Sequence, residues 1–155
     1  MRWPKTGSVD QLAFFVDANV IVYAATPSPY RESCLSIVEA VAANPQLGVT
    51  SVAVLEEAWH IELSGRAGDL TGMTLAARTV FDPPLPITGT VFDRAMSLGL
   101  SDRLGANDRI HVATCLEAGI SIIVSADAGF DQLPGLRRID PLNSTEVQRL
   151  FGEQQ

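Results

Sequence analysis

The stretch Leu12-Ala-Phe-Phe-Val-Asp17-Ala-Asn19 decides how the rest of this chain is read. Its unbroken apolar run has the length and character of a strand covered on both faces. Asp17 ends the run, and Asn19-Val-Ile-Val-Tyr-Ala-Ala opens a helix that Asp17 or Asn19 is suited to cap. The same alternation continues outward. Pro27 and Pro29 break the first helix, and residues 31–43 form a second, with Cys34, Leu35, Val38, Val41 and Ala42 on its apolar face. Residues 47–51 read as a strand and 52–63 as a helix. A loop at 64–69 precedes a helix over 70–81, which Asp82-Pro-Pro-Leu-Pro stops. A short strand follows at 85–88, then helices over 90–98 and 108–118, a strand over 120–124, a turn over 127–131 and a short strand at Arg138-Ile139. A last helix is capped by Asn143 or Ser144. Strands alternating with helices predict an α/β fold, three-layer α/β/α, with a mostly parallel central sheet.

The 155 residues suit one compact domain. Residues 1–11 mix charge, Pro and Gly and read as a flexible arm. Residues 12–142 form the domain, and 143–155 a C-terminal helix and tail.

Four acids fall at or just past the ends of apolar runs: Asp17, Glu57 after Val-Ala-Val-Leu-Glu, Asp108 opening Asp-Arg-Ile-His-Val-Ala, and Asp127 after Ile-Ile-Val-Ser-Ala. A parallel sheet gathers the carboxyl ends of its strands on one rim, so acids scattered in sequence meet there. Clustered carboxylates repel one another by roughly 1 kcal/mol or more per close pair even in high dielectric, and a divalent cation resolves that conflict. Oxygen donors without sulfur suit Mg²⁺ or Mn²⁺.

Composition bears on the partner. With 11 basic and 18 acidic residues the net charge is −7, which does not favour a polyanion unless cations neutralise the acids. The basic residues are almost all arginine, whose planar fork grips phosphate oxygens; Arg66, Arg94, Arg103 and Arg109 are candidates for that. Lys5 is the only lysine. Phosphotransfer sites that pair a strand-end Asp with a later lysine, as receiver domains and haloacid-dehalogenase-type phosphatases do, are therefore excluded, and no P-loop pattern is present. Cys34 and Cys115 read as buried free thiols. No run approaches the span of a bilayer helix and the N-terminus carries no apolar signal core, so a cytoplasmic protein is expected. An apolar share of 46% is high for so small a domain and points to surface covered by a partner.

The ordered motifs Phe-Phe-Val-Asp17-Ala-Asn, Val-Thr-Ser-Val-Ala-Val-Leu-Glu-Glu57, Ala-Asn-Asp108-Arg-Ile-His-Val-Ala-Thr and Ile-Val-Ser-Ala-Asp127-Ala-Gly-Phe-Asp131 resemble the PIN domain. More narrowly they resemble the VapC-type ribonuclease toxins of bacterial toxin–antitoxin modules. The resemblance covers roughly residues 13–141. It implies a metal-dependent endoribonuclease that hydrolyses RNA, tRNA among the candidates, by in-line attack of water at a two-ion site. The products would carry a 5′-phosphate and a 3′-hydroxyl. It also implies a cognate antitoxin and a homodimer.

On that resemblance Asp17, Glu57, Asp108 and Asp127 are the catalytic and metal-binding acids. Asp131 lies one turn past Asp127, on the same face, and is a candidate for a second ion. Glu56 and Glu57 point about 100° apart on a helix, so only one faces the cleft. The apolar stripe of Val54, Leu55, Ala58, Trp59 and Ile61 does not separate them. The family's Thr-Ser, five residues, then Glu spacing favours Glu57. Asn19 and Ser125 are expected to hold the carboxylates by hydrogen bonds. Asp93 and Asp102 are expected to be solvated.

Glu57-Ala-Trp-His60 and Asp108-Arg-Ile-His111 also look like the acid-x-x-His pairs of di-iron bundles. Such a bundle needs four long helices, and this chain has strands in their place. Both histidines are expected to pack beside the site, within reach of a phosphate. The non-enzymatic alternative is a PIN-like fold kept as a binding or regulatory module, and the complete acidic quartet weighs against it. An amphipathic antitoxin segment would suit a groove near Tyr23, Leu35 or Trp59.

Overall fold

A computed structural model describes residues 13–99 and 103–152. The arm expected at 1–11, Leu12 and Asp102 lie outside the described residues. The elements run β1 (Phe14–Val16), α1 (Ala18–Ala25), α2 (Arg31–Ala43), β2 (Gly48–Val49), α3 (Val52–Ser64), α4 (Met73–Val80), α5 (Gly89–Ser97), α6 (Ala106–Glu117), β3 (Ile122–Val124), β4 (Arg137–Ile139) and α7 (Ser144–Gly152). A single 3-10 turn, Ala128–Phe130, links β3 to β4.

The four strands form one sheet in the order β2-β1-β3-β4, with every pairing parallel. Helices cover it in the three-layer α/β/α arrangement that the alternation predicts. Phe14, Phe15 and Val16 are all buried because β1 has a strand on either side and helices on both faces. The chain leaves β1 for β2 on one side and returns to β3 on the other. The carboxyl ends of β1 and β3 therefore flank the point where strand order reverses, which is where open α/β sheets form their crevice.

One continuous core carries Phe15, Ile37, Val54, Ile123, Phe130 and Ile139, and Val147 ties α7 to it. A smaller cluster of Val91, Ala95 and Ala113 packs α5 on α6. Both cysteines are buried free thiols. Burial pushes the Cys34 thiol up to about 12, so it has little thiolate character.

Local departures from the expected elements have plain causes. The strand anticipated at 85–88 shrinks to one parallel bridge, Ser51 to Leu85. Pro84 and Pro86 flank Leu85 and cannot donate to a ladder. The helix expected over 70–81 starts only at Met73, because Gly72 is left-handed at φ 89. β3 starts at Ile122 rather than at 120, because the Ile120 N–H is spent on the Cys115 carbonyl in closing α6. The cap of α7 is Asn143, whose Oδ1 accepts the Glu146 N–H at 3.2 Å. Among the described residues no helix is long and apolar enough to cross a membrane.

Gly48 is required by close approach rather than by its φ. A Cβ there would lie 2.8 Å from the Phe14 ring and 2.8 Å from a Val41 methyl. Gly48→Ala should cost about 1–3 kcal/mol by urea unfolding through overpacking of the β1–β2 contact. Gly89→Ala, with nothing within 4 Å of its Cβ, should change stability by less than about 0.5 kcal/mol.

Candidate metal centre

Asp17 stands at the carboxyl end of β1 and is only 5% exposed. It caps α1: Oδ1 accepts the Ala18 N–H at 2.8 Å. Oδ2 accepts the Ser125 hydroxyl at 2.7 Å and the Asn19 amide at 3.1 Å. The same Asn19 amide nitrogen donates to Ser125 Oγ at 3.0 Å, and Asn19 Oδ1 accepts the Ala126 N–H at 3.1 Å. Ser125 Oγ further accepts the Asp127 N–H at 3.0 Å. One closed network thus ties the ends of β1 and β3 together and fixes Asp17 in a single orientation. Burial pushes the Asp17 carboxyl up, and Glu57 adds to that; His111 and the bonds from Ser125 and Ala18 only partly oppose it.

Glu57 is delivered by α3. Ser51 Oγ caps that helix by accepting the Val54 N–H at 3.1 Å, and Thr50 Oγ1 anchors the preceding strand end to the Val16 carbonyl at 2.7 Å. The buried side of α3 is Val54, Leu55 and Ala58. Glu57 is half-buried beside it, whereas Glu56 and Trp59 are exposed. Trp59, which blurred the stripe in the sequence, is 54% exposed and plays no part in the buried face. Of the two glutamates, the cleft therefore receives Glu57.

α6 contributes two groups. Asp108 lies in its first turn, where the helix dipole favours a charged carboxylate. Burial pushes its carboxyl up nonetheless, reinforced by the charges of Asp17, Asp127 and Glu57. One turn on, His111 is fully buried. Its Nε2 lies 3.0 Å from Glu57 Oε2 and 3.9 Å from Asp17 Oδ1, and its ring sits 6.0 Å from that of Phe15. Burial works to lower the His111 pKa, but Glu57, Asp17 and Asp108 outweigh it and raise it.

One ligand atom each from Asp17, Glu57 and His111 lie within 4.8 Å of one another. Asp127, exposed after β3, caps the 3-10 turn with its Oδ1 accepting the Gly129 N–H at 2.8 Å, and like Asp108 it stands outside that trio. Asp131, expected to share a face with Asp127, is engaged by an arginine. Arg138 grips it as a fork, Nε to Oδ1 at 2.7 Å and Nη2 to Oδ2 at 3.1 Å, and that bond holds its carboxyl below the usual range. The turn ends at Asp131 in extended geometry, so helical spacing does not carry through it.

The histidines and Arg138 take places that sequence reasoning did not give them. His111 lies between two of the acids rather than beside them, and the i,i+3 spacing from Asp108 was the available signal. His60, by contrast, is exposed on α3. Arg138 carries no motif at all, yet its Nη1 also donates to the Ser125 carbonyl at 3.0 Å. Among the arginines considered for phosphate, Arg94 is paired with Glu117 at 2.8 Å. Arg109 braces the chain before α6 through the carbonyls of Leu104 and Leu98. Asp93 is exposed as expected.

Carboxyls driven up by burial and by one another, in a set dominated by oxygen donors, are what a divalent cation relieves, so the residues present fit one. Residues 14–136 match the PIN domain model, and the chain belongs to that family. It is similar to the VapC ribonuclease Mb1869c of Mycobacterium bovis and to Ribonuclease VapC13 of Mycobacterium tuberculosis. Each is 28% identical over 127 residues, covering 80% of this chain and 97% of the relative.

The raised carboxyls fix the pH response of the metal-free protein. Asp17 and Asp108 hold protons more tightly when folded than at their ordinary 3.8, so the stability they contribute is present below that pH and lost as pH climbs through their raised values. His111 acts in the same sense above 6.5. In EDTA the melting temperature should fall from mildly acid to neutral pH. Asp108→Asn should melt higher than the native protein at neutral pH, and the gap should close toward pH 3 as the native carboxyl is protonated.

Proposed function

We propose that this protein is a divalent-metal-dependent endoribonuclease, the toxin of a toxin–antitoxin pair, which hydrolyses RNA phosphodiester bonds with water as the nucleophile. The observation that carries the reading is the gathering of Asp17, Glu57 and His111, one ligand atom each within 4.8 Å of one another, at the reversal point of the sheet, with Asp17 almost wholly buried and Asp108 near enough to be raised by the charges of both acids. The names of the two relatives, both ribonucleases, support it.

Asp17, Glu57, Asp108 and Asp127 are the groups that would hold Mg²⁺ or Mn²⁺. Bound there, the cation supplies positive charge that neutralises the acids, acidifies water and offsets the charge developing on phosphorus. The chain's own residues set the geometry. Ser125 and Asn19 fix Asp17 by donating to its Oδ2. Asp127, exposed on the turn after β3, would serve a second ion. Asp131 is held by Arg138 and would reach an ion only with the lone pairs that fork leaves open. Neutralising the acids also lets RNA approach a chain whose net charge is −7.

The antitoxin would cover apolar surface, and Leu35 and Trp59 are exposed for such a contact. We further propose a cytoplasmic homodimer in which residues 12–142 form the nuclease domain.

Asp17→Asn and Asp108→Asn should each lower cleavage of a mixed structured RNA at least ~100-fold, the upper end for outer-shell groups, and EDTA should abolish it. Equal inactivity of native and variant proteins, with the fold intact and no rise in melting temperature on adding Mn²⁺, would instead make the chain a binding module.

A further inference from the structure

We propose that His111 is a positioning residue: its Nε2–H holds the Glu57 carboxylate in place for the cation, and the ring is not itself a ligand. The proposal rests on the metal-centre reading above.

The two buried-rim acids are held very differently. Asp17 receives three donors, from Ala18, Ser125 and Asn19. Glu57 has three rotatable bonds and a side chain 35% exposed, and among the described residues its carboxylate has one hydrogen-bond partner, His111 Nε2 at 3.0 Å. Without that bond Glu57 regains its rotamer freedom, and a ligand that must be ordered at the moment of binding binds the ion less tightly. His111 suits the task because it cannot move. It is fully buried against Phe15, on the helix that also carries Asp108, so one rigid element sets both acids.

The other ring nitrogen decides between brace and ligand. Among the described residues Nδ1 is buried and has no hydrogen-bond partner. A ligating Nε2 would have to give its proton to Nδ1, burying an N–H with no acceptor. Histidines that bind metals almost always donate that second N–H to a carboxylate or carbonyl. For the neutral ring beside a bound cation, the opposite tautomer leaves only a bare lone pair buried at Nδ1, the milder defect, and puts the proton on Nε2 facing Glu57. At 3.9 Å from Asp17 Oδ1, Nε2 makes no competing hydrogen bond.

Mn²⁺ is the probe, titrated into the full-length protein by electron paramagnetic resonance, with melting in EDTA as the control for folding. His111→Leu should bind Mn²⁺ roughly 10–100-fold more weakly. His111→Gln, whose amide N–H reaches about as far as Nε2–H, should recover most of that loss. In a Glu57→Ala background His111→Leu should add nothing further. Spin-echo modulation of the Mn²⁺-loaded native protein should show no directly bound imidazole nitrogen, a readout that needs no variant to fold. A directly bound nitrogen would make His111 a ligand and overturn the proposal. Unchanged affinity in His111→Leu, or a His111→Gln variant as weak as His111→Leu, would overturn it as well. Native protein that binds no Mn²⁺ at all would remove the metal centre, and this proposal with it.

Discussion

The rest of the site depends on one constraint: a carboxylate stands at the buried end of the central strand, where water cannot fully solvate it. Asp17 cannot be drawn outward, because β1 is paired on both sides and its side chain caps α1. α3 then brings Glu57 close enough to raise the Asp17 carboxyl, and α6 brings Asp108 close enough to be raised by Asp17. Such an arrangement is unfavourable alone and favourable with a cation, so its construction is itself the argument for what it binds.

What surrounds the acids is a frame that keeps them from relaxing apart. Ser125 and Asn19 knit the ends of β1 and β3 into one unit, so that Asp17 and the turn bearing Asp127 are held in register. Arg138 reinforces the far side of that unit by binding both the Ser125 carbonyl and Asp131. Asp131 thereby serves the frame, whatever the spacing to Asp127 implied. On the other flank the Ser51 cap and the Thr50 anchor set the rotation of α3, and with it which glutamate enters the cleft.

Much of this was legible in the chain because strand-end acids and helix caps are local signals. The apolar run before Asp17, the Thr50-Ser51 pair before α3 and the apolar strand before Ser125 all sit where period and composition put them. The remainder depends on contacts distant in sequence. The stripe of α3 admitted two glutamates until packing showed Trp59 outside it. Leu85 makes a bridge and no strand, because the apolar pattern there is interrupted by prolines on both sides. The place of His111 between two acids depends on how α3 and α6 pack, which neither helix encodes by itself.

The most direct test is anomalous diffraction from crystals of the full chain soaked in Mn²⁺ and recorded at the manganese edge. A manganese peak is expected among the carboxylates of Asp17, Glu57 and Asp108, with His111 Nε2 still facing Glu57. A peak confined to Asp131 or to lattice contacts, or none at saturating Mn²⁺, would contradict it.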